Sequence, residues 1–299
     1  MKDKQSSVIV IANCHCLPLA DALALGGRNI KTDFIDVTFA DRPHMSLKID
    51  NLLSSTSHDF VLSFNLSTQF NRLETGILRE NLGDRLRTFT NIHFDGLHPD
   101  VTYIGTIGQR TPGFFDDYHS KLVLFCFVTG RGTDDCLRLF NGGVYKKLGY
   151  FDIYANSTRE LLQRDNVCDI KFAAHFLDMI RFEPCLYTVN HPTGPVFLEL
   201  SALLADAVGF DFIKMNQVFF QNHLSTNFIW PVYDEIAEHH GLAYRTPAFF
   251  IKPGERVSRS ASLQEFVEGS YVAYSQANFD EFAAMVKSLP FFKAFSESL

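Results

Sequence analysis

The sequence predicts an α/β fold: a parallel, doubly wound sheet at the N-terminus followed by a large, mostly helical C-terminal part. Three observations predict it. Apolar runs of strand length alternate with helix-period stretches at crossover spacing over residues 8–94. The first run, VIVIA, is continuous rather than alternating, as expected of a strand buried on both faces. Beyond Tyr103 the apolar spacing moves towards 3.6.

In chain order, residues 8–13 read as the first strand, and Pro18 opens a helical stretch, LADALALGG, that Gly26 and Gly27 stop. The second strand is TDFIDVTFA (32–40), the third HDFVLSFN (58–65) and the fourth FTNIHF (89–94). Helix-like LKIDNLLSST and RLETGILRENLGDRL lie between strands. Ligands of such a sheet bind outside the carboxyl ends of its strands. The segments SKLVLFCFVTG, CLRLFNGGVYKKLGYF, STRELLQRD and CDIKFAAHFLDMIRF then predict helices. A short LYTVNHPTG, a helix-like VFLELSALLADAVGF and a loop-rich NHLSTNFIWPVYDEI follow, and SLQEFVEGSYVAYSQANFDEFAAMVKSL predicts two amphipathic helices. A division near residue 110 gives an α/β nucleophile-bearing core (1–110) and a mostly helical part (111–299) that completes the active site and ligand pocket.

Composition excludes several classes. With 299 residues, 46% hydrophobic and 20% charged, the chain is long enough and apolar enough for a large core, which 30 Phe against one Trp make unusually aromatic. A formal charge of -7 argues against nucleic-acid binding, which needs clustered cations, so any phosphorylated ligand is held locally. No segment approaches a membrane span, and VIVIA is too short for the core of a signal peptide. Cys14, Cys16, Cys126, Cys136, Cys168 and Cys185 are scattered, which fits a reducing cytoplasm better than a disulfide framework or zinc ribbon. No CxxC or HExxH pattern supports a metal, and the glycines of TGRGTDD and FNGGVYKKLG do not follow strands as a dinucleotide fingerprint must.

The chemistry centres on Cys14. It follows a buried strand and precedes a helix, which places its sulfur beside a helix N-terminus, where thiolate is favoured. Asn13 and His15 flank it, and Asn13 can donate to an oxyanion. Asn65, ending the third strand, reaches the same edge of a parallel sheet as a second donor or as a turn cap. In NIHFDGLHPD, Asp95 and His98 have D-x-x-H spacing, and Asp100 adds a carboxylate; a nucleophile needs a base oriented by a third group, which an Asp–His pair supplies. His93, inside the fourth strand, reads as a core histidine. Asn190 and His191 form a further candidate after a short strand, so His191 competes with His98 for the role of base, or the two divide base and substrate contacts. Arg131, Lys146 and Lys147 can contact ligand phosphates or be merely solvated, and His239-His240 read as a solvated helix end.

With strand-ANC-turn-helix first, IHFDGLHPD in the middle and NHPT near residue 190, the sequence resembles the WcbI-type family of capsular polysaccharide biosynthesis acetyltransferases. The family's first motif is Gly-Asn-Cys-Gln, where this chain has Ala12-Asn13-Cys14-His15. The resemblance implies coenzyme A or acetyl-coenzyme A as acyl donor and transfer to a sugar hydroxyl in capsule or exopolysaccharide assembly. More distantly the plan is similar to SGNH hydrolases and to flavodoxin-like sheets, with Cys14 in place of the serine, Asn65 at the Asn block and Asp95–His98 at the dyad. Two alternatives use the same residues: a cysteine-dependent carbohydrate esterase or deacylase, and a non-catalytic coenzyme A or sugar-nucleotide binding protein. The Phe-rich LPFFKAF segment packs internally or forms a homo-oligomer contact.

Overall fold

A computed structural model describes residues 5–54, 57–106, 109–254 and 257–299, with the His44 side chain left aside. The chain forms two compact units. The first takes in residues up to 92 with 159–180 and 191–224; the second takes in 93–158, 181–190 and 225–299.

In the first unit four strands, β1 (Ser6–Ala12), β2 (Ile30–Asp36), β3 (Phe60–Phe64) and β4 (Leu86–Phe89), form one all-parallel sheet in the order β2-β1-β3-β4. This is the expected α/β class. Val8 to Ala12 are at most 1% exposed, which explains why the strand reads as an unbroken apolar run. Helices α1 (Cys16–Gly26), α2 (Pro43–Ser54) and α3 (Thr75–Leu82) connect the strands. The predicted run LKIDNLLSST extends two residues past α2, and those two lie outside the described residues. Helix α1 begins two residues before Pro18, which the first turn tolerates because its N–H groups have no intrahelical acceptor. The chain leaves β1 to one side for β2 and returns on the other side for β3, so the topological switch point lies at the carboxyl ends of β1 and β3.

The fourth strand lies earlier than the predicted 89–94 and shares only Phe89 with it. Its pairing ends at Phe89, opposite Phe64, the last residue of β3. Residues 90–94 therefore lie outside the sheet, and His93 is a half-buried side chain paired with Asp95 (3.0 Å), not a core histidine.

The predicted helices appear as α4 (Lys121–Val128), α5 (Thr133–Leu137), α6 (Gly142–Lys147), α7 (Tyr150–Asn166), α8 (Ala173–Met179) and α9 (Gly194–Ala207). After α10 (Asp234–His239) come α11 (Leu263–Tyr274), α12 (Phe279–Lys287) and α13 (Pro290–Ser298). Helix α11 opens on a capping box between Ser262 and Glu265. Helix α13 holds the LPFFKAF segment, whose Phe292 and Phe295 pack internally on Phe125 at 5.4 and 5.8 Å between centroids. The short strands are β5 (Val101–Thr102), β6 (His119–Ser120), β7 (Leu186–Thr188), β8 (His191–Pro192), β9 (Phe250–Lys252) and β10 (Arg259–Ala261). The second unit buries the sole Trp, Trp230, against Phe228, Phe250 and Phe266, with Phe250 and Phe266 stacked at 4.0 Å. Edge-to-face and offset rings of this kind account for the aromatic composition.

Candidate functional site

The turn from β1 to α1 is built by Asn13. Its main-chain oxygen accepts from the Cys16 N–H (2.9 Å) and its side-chain oxygen from the His15 N–H (3.1 Å), an Asx turn that leaves the carboxamide nitrogen available to a ligand. Cys14, between them, is half-buried, whereas the other five cysteines are buried. Burial first, and then the Asp36 carboxylate, pushes the Cys16 thiol up to about 12. Cys16 therefore stays protonated at neutral pH, and Cys14 is the member of the C-x-C pair with access to solvent.

Two other predicted residues are placed by the sheet and by α1. The parallel register sets Ile11 opposite Ser63, so Asn13 and Asn65, each two residues on, stand level at the switch point. Asn65 is exposed there. His15 instead turns inward: it is 1% exposed, with its ring edge-on to Phe64 (5.5 Å) and Phe197 (5.6 Å). Its role at this turn is to lock the base of α1 against the sheet and α9.

His191 belongs to the same unit and to the same end of it. Phe197, near the start of α9, meets His15 at the start of α1, while the residues following both helices meet through a Gly27–Phe212 bridge. The two helices therefore run side by side with their N-termini together. His191 is 8% exposed just before α9, and its segment is held by Asn222, whose carboxamide donates to the Pro192 oxygen at 2.9 Å.

The carboxyl side of this sheet also carries a cleft of about 220 Å³ formed by the segments after β2 and β3 and the start of α2. Arg42, Arg72, Ser46 and Asn71 line it. Arg72 pairs with Asp50, and the Arg42 guanidinium lies over the Phe39 ring at 4.1 Å. The sequence reading missed both arginines, because neither sits in a motif; loops after strand ends were the only signal that could have pointed to them.

In the second unit the IHFDGLHPD segment is a tight, buried turn. Gly96 is required there, since a Cβ would stand 2.7 Å from the Tyr154 Cα. Asp95 pairs with His93, and the His98 Nε2 donates to the Trp230 main-chain oxygen (3.1 Å). The His98 Nδ1 is buried with no partner among the described residues. Burial holds this imidazole at about 4, so it is neutral at physiological pH with Nδ1 as the lone-pair acceptor.

Asp100 is fully buried. It accepts hydrogen bonds from the hydroxyls of Tyr150 (2.6 Å) and Tyr233 (2.9 Å) and from the Leu122 N–H (3.1 Å). Burial pushes its carboxyl above the usual range, against the pull of those donors. Asn190 lies in a hydroxyl cluster, its side-chain oxygen accepting from Tyr103, Tyr118 and Thr188 at 3.3 to 3.4 Å.

The three predicted phosphate contacts differ in surroundings. Arg131 donates to the Leu299 main-chain oxygen (3.2 Å) and lies 5.2 Å over Phe125, while Lys146 and Lys147 are exposed at the end of α6. His239 and His240 stack on Phe151 (4.1 Å) and Tyr154 (4.3 Å); His240 is half-buried with its Nε2 unpartnered, so only His239 is the solvated helix end expected. Among the described residues no group of three or more His, Cys, Asp or Glu could hold a metal ion, and no helix is long and apolar enough to cross a membrane.

A protein-family model for the polysaccharide biosynthesis enzyme WcbI matches residues 7–212. Among curated proteins none matches the chain significantly. Among solved structures the chain is similar to WcbI, described as a novel polysaccharide biosynthesis enzyme in its native form without a disulfide bond between coenzyme A and Cys14. The TM-score is 0.75 at 16% identity, over 99% of this chain and 100% of that one.

Proposed function

The chain belongs to the WcbI polysaccharide biosynthesis enzyme family, and from that premise we propose that it transfers an acyl group, in the simplest case acetyl, from a coenzyme A thioester to a saccharide hydroxyl in capsular or exopolysaccharide assembly. The observation that carries this reading is the placing of Cys14. Its half-buried thiol stands at the topological switch point of the sheet, just before α1, the position at which ligands of such sheets bind. The WcbI structure associates coenzyme A with a cysteine at the same number.

In this mechanism the Cys14 thiolate attacks the thioester carbonyl, and the oxyanion is met by the carboxamides of Asn13 and Asn65. Collapse breaks the carbon–sulfur bond to coenzyme A, whose sulfur leaves with the proton of the imidazolium form of the base, and the acyl group rests on Cys14. The acceptor hydroxyl then attacks as a base removes its proton, and the Cys14 thiolate is regenerated. We assign the base to His191, which shares an end of the first unit with Cys14. Arg42 and Arg72 offer cationic groups to the phosphates of coenzyme A on the same side of the sheet. The donor carboxamides of Asn13 and Asn65 beside a thiol support acyl chemistry of either the transfer or the hydrolytic kind.

The test is a thermal-melt titration with acetyl-coenzyme A followed by mass spectrometry of the peptide carrying Cys14. A saturable upward shift together with acetyl on Cys14 supports the mechanism. No shift with any coenzyme A species overturns it, and turnover of an aryl acetate without coenzyme A would move the assignment to an esterase.

A further inference from the structure

The second unit holds a cleft of about 190 Å³ that the mechanism above does not use. Its walls are aromatic and apolar: Phe140, Tyr145, Tyr233 and Phe250, with Val232 and Leu263. The Tyr145 and Tyr233 rings are stacked at 5.6 Å, and Phe140 stands edge-on to Tyr233 at 5.9 Å. The wall is fixed from behind. The Tyr233 hydroxyl is anchored on buried Asp100, and Val232 exchanges main-chain hydrogen bonds with the Thr246 hydroxyl at 2.9 and 3.3 Å.

Polar groups in this cleft are few and specific. Tyr145 is 2% exposed overall and lines the cleft, where its hydroxyl is a group that a ligand can bond. The rim carries the carboxylates Asp234 and Glu235 and no lysine or arginine among its lining residues. Phosphates and uronates are therefore disfavoured, while groups that donate hydrogen bonds to carboxylates are favoured.

A rigid aromatic wall, one tyrosine hydroxyl and an anionic rim match a neutral sugar, whose C–H faces pack on rings and whose hydroxyls donate to carboxylates. The volume corresponds to roughly a dozen or so water-sized groups, the scale of one monosaccharide ring. We propose that this cleft, lined by Tyr145, Tyr233 and Glu235, is a subsite for one neutral monosaccharide ring. The proposal concerns the second unit by itself, and the binding does not rest on the acyl-transfer reading.

The experiment is saturation-transfer NMR of the full chain with the methyl glycosides of glucose, galactose and mannose, with methyl glucuronide as the anionic control. Tyr145→Phe and Glu235→Gln are compared with the parent after their melting temperatures are checked; neither change removes a hydrogen bond seen in the fold. At least one neutral glycoside saturates, the uronide binds more weakly, and each variant weakens the neutral ligand about tenfold. The subsite is overturned if none of the neutral glycosides saturates, if the uronide binds as well, or if both variants bind unchanged. The acetyl-coenzyme A melt is run in parallel. A shift there without glycoside binding sinks the subsite alone, and glycoside binding without a shift sinks the transfer reading alone.

Discussion

At the carboxyl edge of the four-stranded sheet, Asn13, Cys14 and Asn65 are half-buried or exposed, whereas around Asp100 in the second unit the polar groups are buried and bonded to one another. The first set stands at the sheet edge with amide groups and a thiol that solvent reaches. The second set spends its hydrogen bonds internally: two tyrosine hydroxyls and an amide on one carboxylate. Both contain residues that a motif reader would put in an active site. Burial separates a group that solvent and a ligand can reach from one that holds the fold.

Substitution should divide the two regions sharply. Cys14→Ala is expected to lower acyl transfer from acetyl-coenzyme A by at least about a thousandfold while the melting temperature stays close to that of the parent. Asp100→Ala is expected to do the reverse in kind, destabilising the fold by about 3–5 kcal/mol by leaving buried donors without an acceptor, as read by urea denaturation. If Asp100→Ala folds with parental stability and loses only turnover, Asp100 belongs with the chemistry and the contrast fails.

A pH titration sharpens it further. Burial lowers His98 and His119 to about 4, from an ordinary histidine value of 6.5. The unfolded chain then binds protons that the native state does not. The resulting stability is fully present above pH 6.5 and is lost as pH falls towards 4, by up to about 3 kcal/mol for each histidine. Denaturation curves across that window should show the loss, and His98→Gln should flatten it; an unchanged slope would mean that His98 is solvated in the native state.

The smaller effects lie at the sheet edge. Iodoacetamide at neutral pH should alkylate Cys14 well before Cys16, because the latter is buried with its thiol raised to about 12. Labelling of Cys16 first would reverse the roles assigned to the pair. Arg42→Ala should raise the KM for acetyl-coenzyme A severalfold and leave kcat nearly unchanged, as expected of a contact made equally in ground and transition states. A fall in kcat alone would place Arg42 with the reacting atoms.

The amino-acid sequence by itself determined the α/β class, the buried first strand, the sharp turn at Cys14, most helices of the second half and the family signature. Each of these is written locally, in apolar period, in Pro and Gly placement and in short motifs. Only the tertiary structure decided which histidine stands with which partner. Asp95 and His98 have dyad spacing, yet Asp95 pairs with His93 and the His98 N–H goes to Trp230, a residue distant in sequence. His15 reads as a polar neighbour of the nucleophile and is enclosed by Phe64 and Phe197. Arg42 and Arg72 carry no motif, and the loops after β2 and β3 bring them into one cleft. The physical reason is common to all three: periodicity reports which face of an element is buried, whereas hydrogen-bond partners and burial of a single polar group depend on contacts between residues far apart in the chain.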